Sequence, residues 1–329
     1  MAPPKQLITR PLGKNGPQVT PAGLGLMGAS GIYGIPGSDA ERLAFLDAAY
    51  GMGETFWDTA DIYGDSEDLP GKWFALNPSK RKGIFLATKL GHPYHDPANL
   101  QGTRAINTNP EYCLDALEAS LKRLGLPYVD LHCIHRLDSP PSRRLSKQRF
   151  NSKIEGKIKY LDLSEYRADS LRRAHATHPI SCVHMEYNPF CLDIESPKYR
   201  LLERARELDA AIVAYSPLGN GLLSGTLRLK EDFTKRGDLR DEPGPVDRIG
   251  ETAKAKGVTP AQLTLVWILT QGEDFFVIPG TTKAHRVAEN LGSLDITITP
   301  EEEKAIRQAS ERPVATSVVV YKLVSNPAS

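Results

Sequence analysis

The chain has 329 residues, and its 41 basic side chains nearly balance its 40 acidic ones, for a formal net charge of +1. Its 40% apolar and 25% charged residues are typical of a globular chain with a large buried core. This balance provides no overall field for nucleic acid or an anionic lipid surface, and no apolar run reaches the roughly 18 residues of a membrane span. The composition excludes a fibre and a membrane protein, and we expect no nucleic-acid, membrane or obligatory protein partner.

The four cysteines are scattered along the chain, and no two of them form a Cys-x-x-Cys pair. They are Cys113, Cys133, Cys182 and Cys191. The first residues lack the apolar core of a secretory signal, so we expect reduced thiols and a cytoplasmic location. The cysteine spacing favours no metal site.

The elements predicted in chain order begin with a hairpin. Residues 7–12 and 18–20 flank Lys14-Asn15-Gly16, and Asn-Gly between two such runs is a strong hairpin signal. We expect this hairpin to close the bottom of a barrel.

After the hairpin, short β-rich runs alternate with longer helical patterns. The predicted strands are residues 22–26, 55–59, 84–88, 128–134, 158–163, 182–186, 211–215 and 275–278. The predicted helices are residues 40–52, 66–74, 110–124, 168–176, 197–209, 246–256 with 260–271, and 283–291. Strands that are each followed by a helix predict an α/β fold, a single (β/α)8 TIM barrel over residues 7–310, with a C-terminal tail over 311–329.

An open, doubly wound sheet is the competing architecture. Residues 23–28, Gly-Leu-Gly-Leu-Met-Gly, match its glycine motif, but they lack the helix opening that the motif requires. The barrel is therefore favoured.

Several helix ends carry local signals. Asn109-Pro110-Glu111 and Thr259-Pro260 are typical helix starts, and Gly125 is a typical stop. Segment 142–153 lies where the fourth helix should be, but it has five basic residues, no acidic residue and a poor apolar stripe. It favours a solvated surface helix, with a local anion-binding patch as the alternative.

Four polar residues follow the ends of three neighbouring predicted strands. Asp58 and Tyr63 come at the end of the second strand, Lys89 at the end of the third and His135 at the end of the fourth. The carboxyl ends of the strands form the active face of such a barrel. A carboxylate, a phenol, an ammonium and an imidazole are therefore expected on one rim.

These residues resemble motifs of the aldo-keto reductase superfamily. The motif Asp-Thr-Ala-x-x-Tyr-Gly stands here at residues 58–64, the family's lysine matches Lys89, and its strand-four histidine matches His135. Further matches lie at residues 156–165, 186–190, 215–219 and 278–290. The resemblance covers roughly residues 7–310 and is greatest to the microbial and fungal branch whose strand-four motif ends in His-Arg.

The resemblance implies reduction of an aldehyde or ketone to an alcohol with NADPH. Tyr63 would protonate the carbonyl oxygen, and the ammonium of Lys89, held by Asp58, would lower the pKa of the phenol. His135 would hydrogen-bond and orient the carbonyl. Tyr63 and His135 are thus also the expected substrate-binding residues.

The resemblance also assigns residues to the cofactor. Ser164 would bind the nicotinamide carboxamide, Tyr215 would stack on the ring, and Arg286 would face the 2′-phosphate. The full expected set is Asp58, Ser164, Glu165, His184, Tyr215, Ser216, Pro217, Leu218, Gly219, Gly225, Gly280, Thr281, Thr282, Arg286, Glu289 and Asn290.

The sequence departs from the family at three places. His184 stands where a glutamine is usual, which predicts that recognition of the carboxamide changes with pH between about 5.5 and 8. Asp162 stands where a glycine is usual and shares the inward face of its strand with Ser164, so it must find a partner or shift its pKa. The loop over 228–245 is short and polar, where the family usually has a longer loop.

Two functions fit these observations. The first is an NADPH-dependent carbonyl reductase. The second is a barrel that keeps the cofactor but serves as a regulatory subunit with weak or no turnover. The four intact catalytic residue types favour the enzyme.

Overall fold

The computed structural model describes residues 5–30, 35–91, 106–136, 156–225 and 245–310. The basic segment 142–153, nearly all of the 228–245 loop and the tail over 311–329 lie outside these ranges. The predictions made for those segments therefore remain predictions.

A two-stranded hairpin opens the chain, as the Asn-Gly signal predicted. Strand β1 (Arg10–Pro11) pairs antiparallel with β2 (Gln18–Val19). The buried side chains of Leu12 and Val19 belong to one apolar cluster with Phe56 and other residues of the barrel strands. The amide of Lys14 donates to the carbonyl of Asp209, just before a barrel strand begins. The hairpin therefore lies against the amino-terminal end of the barrel.

In the described residues, one sheet of eight parallel strands follows the order of the chain. The strands are β3 (Leu24–Gly25), β4 (Phe56–Asp58), β5 (Phe85–Leu90), β6 (Val129–Ile134), β7 (Ile158–Ser164), β8 (Cys182–Glu186), β9 (Ala211–Tyr215) and β10 (Phe275–Val277). Parallel bridges from Ala22 to Val277 and from Gly25 to Gly280 join the first strand to the last. They close the sheet, so the predicted (β/α)8 barrel is confirmed.

The helices alternate with the barrel strands, and the final two follow the last strand. They are α1 (Asp39–Gly51), α2 (Asp68–Leu76), α3 (Pro110–Leu124), α4 (Ala168–Thr177), α5 (Leu201–Glu207), α6 (Pro245–Lys256), α7 (Pro260–Leu269), α8 (Ala284–Leu291) and α9 (Pro300–Ser310). The described part of the chain has no helix that is both long and apolar enough to cross a membrane.

Three predicted helix ends have the expected caps. The side chain of Asn109 accepts a hydrogen bond from the amide of Tyr112, and Thr259 forms a reciprocal capping box with Gln262. Gly125 ends α3 with a left-handed φ of 62°, which glycine adopts without steric cost. These local signals were therefore read correctly from the sequence.

Two helices differ from the prediction. Helix α5 begins four residues later than expected, because Arg200 just before it has a left-handed φ of 50°. Helix α9 was not predicted. It begins with a reciprocal cap in which the Thr299 amide donates to Glu302 and the Glu302 amide donates to the Thr299 hydroxyl. The sequence Thr299-Pro300-x-Glu302 carries that signal.

Candidate active site

The four predicted catalytic residues meet at the carboxyl end of the barrel. Asp58 ends β4, Lys89 lies next to the end of β5, and His135 directly follows β6. The loop that carries Tyr63 is fixed to β5, because the amides of Thr59 and Asp61 donate to carbonyls of that strand, Ala87 and Lys89. The structure therefore brings together side chains that are up to 77 residues apart in the sequence.

Asp58 and Lys89 form a buried ion pair beneath the rim. Each has only 3% of its surface exposed, and the ammonium also donates to the carbonyl oxygen of Thr59 at 2.9 Å. Burial lowers the pKa of Lys89, but the negative charge of Asp58 more than offsets this and the net pKa is raised. Burial raises the pKa of Asp58, but Lys89 and His184 outweigh it and hold that pKa below its ordinary value. Both groups are therefore charged near neutral pH.

Tyr63 and His135 lie above this pair and are partly exposed. The Lys89 ammonium is 5.3 Å from the centre of the Tyr63 ring. The rings of Tyr63 and His135 meet edge to face, with centroids 5.8 Å apart and planes at 85°. The phenol of Tyr63 and the imidazole of His135 therefore line one accessible site above the buried ammonium. This arrangement suits proton transfer to an oxygen atom bound at that site.

His184 lies in the interior of the barrel with 0% of its surface exposed. Its Nδ1 contacts the carboxylate of Asp162, and its Nε2 lies 3.1 Å from Oδ2 of Asp58. Burial by itself would lower the pKa of His184, but the negative charges of Asp162 and Asp58 outweigh burial and raise this pKa to about 9. The predicted titration of this side chain between about pH 5.5 and 8 is therefore wrong, because two carboxylates keep it protonated over that range. Its predicted contact with the carboxamide stays a prediction, and it would require one nitrogen to leave a carboxylate.

Ligand atoms of Cys133, Asp162 and His184 lie within 4.8 Å of one another, and all three residues are buried. Burial and the nearby charge of Asp162 raise the pKa of the Cys133 thiol well above its ordinary value. A metal ligand must be a thiolate or an unprotonated imidazole nitrogen. A metal ion bound here would therefore have to displace the thiol proton and an imidazole proton.

The predicted nicotinamide residues lie at the ends of β7 and β9. The hydroxyl of Ser164 accepts a hydrogen bond from Arg136 at 3.0 Å, a contact that the sequence did not predict although Arg136 follows His135 directly. The hydroxyl of Tyr215 donates to Glu165 at 2.8 Å, which fixes the direction of the ring. Glu165 also accepts the amide of Glu186 and has a left-handed φ of 59°.

The predicted pyrophosphate loop, residues 216–219, has an unusual backbone. Ser216, Gly219 and Asn220 have φ of 47°, 54° and 53°. Runs of residues that enter the left-handed region form concave backbone nests that bind anions. Asn188 donates to the carbonyl oxygen of Ser216 at 3.0 Å and was not predicted as a supporting residue. The loop also contains Pro217 and Leu218, and Gly225 beyond it has φ of 71°.

The predicted 2′-phosphate segment follows β10. The side chain of Thr281 accepts the Lys283 amide at 3.1 Å, just before α8 begins. Arg286 lies in the first turn of α8, and within the described ranges its guanidinium makes no ion pair. The remaining members of the segment are Gly280 and Thr282, which are exposed, Glu289, which is partly exposed, and Asn290, which is buried.

Comparison with known proteins identifies the family. The Aldo/keto reductase family profile matches residues 22–311. The aldo-keto reductase str7 of Strobilurus tenacellus is 44% identical over 304 residues, which cover 88% of this chain and 87% of that protein. The aldo-keto reductase yakc of Schizosaccharomyces pombe, whose name includes NADP(+), is 38% identical over 317 residues, which cover 92% of each chain.

A solved structure has the same architecture. The thermostable aldo-keto reductase Tm1743 superposes with a TM-score of 0.71 at 28% identity, over 92% of this chain and 100% of that one. The chain therefore belongs to the aldo/keto reductase family and is an oxidoreductase that acts on carbonyl groups. Members of this family generally carry out NADP-dependent carbonyl reduction.

Proposed function

We propose that the chain reduces an aldehyde or ketone to the alcohol with NADPH, and that Tyr63 donates the proton. The observation that carries this proposal is the placement of the Tyr63 ring between the Lys89 ammonium, 5.3 Å away, and the ring of His135, 5.8 Å away. The phenol is partly exposed while its cation is buried. Substrate can thus reach the proton donor, whereas water is kept from its electrostatic partner.

The residues around the cofactor face fit a phosphorylated dinucleotide. The left-handed residues Ser216, Gly219 and Asn220 give residues 216–220 a backbone that suits a diphosphate. Arg286 offers a guanidinium that pairs with no carboxylate in the described ranges, at the start of a helix, where a phosphate is favoured. Tyr215, held by Glu165, offers a ring of fixed direction for stacking. The proposed cofactor set is completed by Asp58, Ser164, Glu165, His184, Gly225, Gly280, Thr281, Thr282, Glu289 and Asn290.

When bound, NADPH supplies a hydride from C4 of its nicotinamide to the carbonyl carbon. His135 donates a hydrogen bond to the carbonyl oxygen and fixes its direction. Tyr63 gives its hydroxyl proton to that oxygen as negative charge develops on it. Lys89 stabilises the resulting phenolate, and Asp58 holds the ammonium in place. The substrate is a small carbonyl compound.

The test is NADPH consumption by the purified chain over a panel of aromatic aldehydes, aliphatic aldehydes and ketones. Tyr63→Phe should reduce kcat by at least about 100-fold, the scale of general acid catalysis. Its NADPH dissociation constant, measured by cofactor fluorescence, should stay within a few-fold, because the hydroxyl acts on the substrate oxygen alone.

The matched control is Tyr199→Phe, which removes a hydroxyl from a side chain that is 43% exposed and that is not assigned to the site. It should keep the wild-type rate. Wild-type turnover in Tyr63→Phe would contradict the assignment of the proton donor. NADPH binding without reduction of any carbonyl in the panel would instead favour a cofactor-binding regulatory barrel.

A further inference from the structure

Two unusual residues of this chain contact each other beneath the rim. Asp162 on β7 and His184 on β8 stand on neighbouring strands and both face inward, where the Nδ1 of His184 contacts the Asp162 carboxylate. Each has no more than 1% of its surface exposed. Asp162 precedes Ser164 by two residues on the same face of β7, and His184 is the register partner of Ser164 on β8.

This pair is joined to the catalytic ion pair through Asp58. One oxygen of Asp58 accepts from Lys89, and the other lies 3.1 Å from the Nε2 of His184. The result is a continuous row from Asp162 through His184 and Asp58 to Lys89, which lies under the ring of Tyr63. Negative and positive groups alternate along the row.

Hydrogen bonding sets the charge of His184. An ionised carboxylate only accepts hydrogen bonds, so an imidazole between two carboxylates satisfies both when each ring nitrogen carries a hydrogen. That state is the imidazolium cation. The row then holds two anions and two cations with no net charge, which is the arrangement in which buried charges are tolerated.

We propose that the Asp162–His184 pair positions the catalytic lysine and strengthens its electrostatic effect on Tyr63. The imidazolium of His184 binds one oxygen of Asp58, so Lys89 acts on Tyr63 as a stronger cation. Asp58 divides its charge between two cations, so it neutralises the ammonium less than it would alone. Asp58 is also held at both oxygens and cannot turn away from Lys89. The inference rests on the proposed function, since it assigns Tyr63 the proton transfer.

The groups packed around His184 support this charge state. Asp58 faces it from β4, Cys133 from β6 and Asp162 from β7. Cys182, two residues before it on β8, contacts Asp162. Burial and Asp162 raise the pKa of both thiols well above the ordinary value, so they stay neutral. The two carboxylates outweigh the burial penalty and raise the pKa of His184 to about 9.

The direct test measures the ionisation of Tyr63 in the full-length protein without any turnover. Tyrosine labelled at the phenol carbon is followed by NMR against pH, and the Tyr63 signal is assigned from its absence in Tyr63→Phe. In His184→Gln, the midpoint of the Tyr63 titration should move up by about one pH unit. Losing the imidazolium returns the whole charge of Asp58 to Lys89 and leaves Asp162 unpaired.

A double variant guards against a folding defect. Asp162→Asn with His184→Gln replaces the charged pair by two neutral amides of similar shape, so no buried charge is left alone. Its Tyr63 midpoint should also lie above the wild-type value, but by less than in His184→Gln. The control His178→Gln, at the end of α4, should leave the midpoint unchanged.

Two results would overturn the inference. One is a Tyr63 midpoint in the double variant equal to that of the wild type. The other is an imidazole NMR spectrum in which His184 carries a single ring hydrogen at pH 7. Neither readout depends on carbonyl reduction, so failure of the inference is distinct from failure of the proposed function, which the NADPH consumption assay decides.

Discussion

Lys89 is the side chain that links the buried charges to the rim. It lies between the carboxylate of Asp58 and the ring of Tyr63, and its raised pKa keeps it an ammonium. A phenol with its ordinary pKa of ≈ 10 is a poor acid–base group near neutrality, so the proposed proton transfer requires a cation beside it.

Lys89→Met should therefore lower kcat at pH 7 by at least about 100-fold. The remaining activity should have a more alkaline optimum than that of the wild type, which a pH series of NADPH consumption measures. Lys198→Met, at an exposed surface lysine, should leave both the rate and the optimum unchanged. A variant of Lys89 that keeps the wild-type optimum would show that the ammonium does not act on the phenol.

Arg286 decides between the two nicotinamide cofactors if its guanidinium faces the 2′-phosphate. Arg286→Ala should weaken NADPH binding by about 1–3 kcal/mol, the scale for loss of a charge-assisted hydrogen bond, and should barely change NADH binding. Fluorescence titration with both cofactors measures this, with Arg172→Ala on the exposed face of α4 as the control. An equal loss for both cofactors would make Arg286 a structural residue.

For single residues, the sequence predicted which side chains point into the barrel, but it did not predict the groups that these side chains contact. Strand periodicity placed Asp162 on the inward face and required a partner for it. The partner is His184 on the next strand, and periodicity along one strand does not determine the lateral register that brings the two together. The same limit hid the contact of Arg136 with Ser164.

The elements that hold the site depend on close packing between neighbouring helices. Gly71 on α2 lies so near α3 that a Cβ atom there would be 2.4 Å from the carbonyl oxygen of Arg123. Gly71→Ala should therefore lower the free energy of unfolding by about 1–3 kcal/mol, because the backbone must shift to admit the methyl group.

Urea unfolding measures that change. The matched control is Gly250→Ala on α6, where a Cβ atom would meet nothing within 4 Å. That variant should be neutral or more stable by up to about 1 kcal/mol, since alanine favours a helix over glycine. Equal stabilities of the two variants would mean that α2 and α3 separate at no cost.

Most elements could be predicted from the sequence because their ends carry their own signals. Asn109, Gly125 and Thr259 cap helices by contacts within a few residues. Helix α5 was predicted too long, because the left-handed turn at Arg200 occurs in a residue type that rarely adopts it. Closure of the barrel followed from the alternation of strands and helices alone.

The stability of the whole molecule should depend on pH through groups buried at the rim. Asp61 has 3% of its surface exposed, and burial, with Glu67 nearby, raises its pKa to about 8. When the pKa of an acid is higher in the folded than in the unfolded state, its contribution to stability is fully present below the unfolded-state pKa of ≈ 3.9. That contribution is lost as the pH rises through the folded-state pKa. His184, with a pKa of about 9, loses its contribution in the same direction.

Asp61→Asn removes the first of these ionisations while keeping the shape of the side chain. The free energy of unfolding of the wild type should fall between pH 7 and 9, and that of the variant should fall by at least about 1 kcal/mol less. Urea unfolding at several pH values measures both. If the free energy of unfolding fell equally with pH in the two proteins, Asp61 would have the same ionisation in the folded and unfolded states over this range.

In the proposed reaction, hydride passes from the nicotinamide to a carbonyl carbon while Tyr63 protonates the oxygen. It is tested most directly with NADPH carrying deuterium on the transferring face of C4 and an aldehyde reduced in the panel. The wild type should place one deuterium on the carbinol carbon of the product, and Tyr63→Phe at the same protein concentration should form the labelled alcohol at least about 100-fold more slowly. Alcohol without deuterium, or labelled alcohol formed at the wild-type rate by Tyr63→Phe, would contradict it.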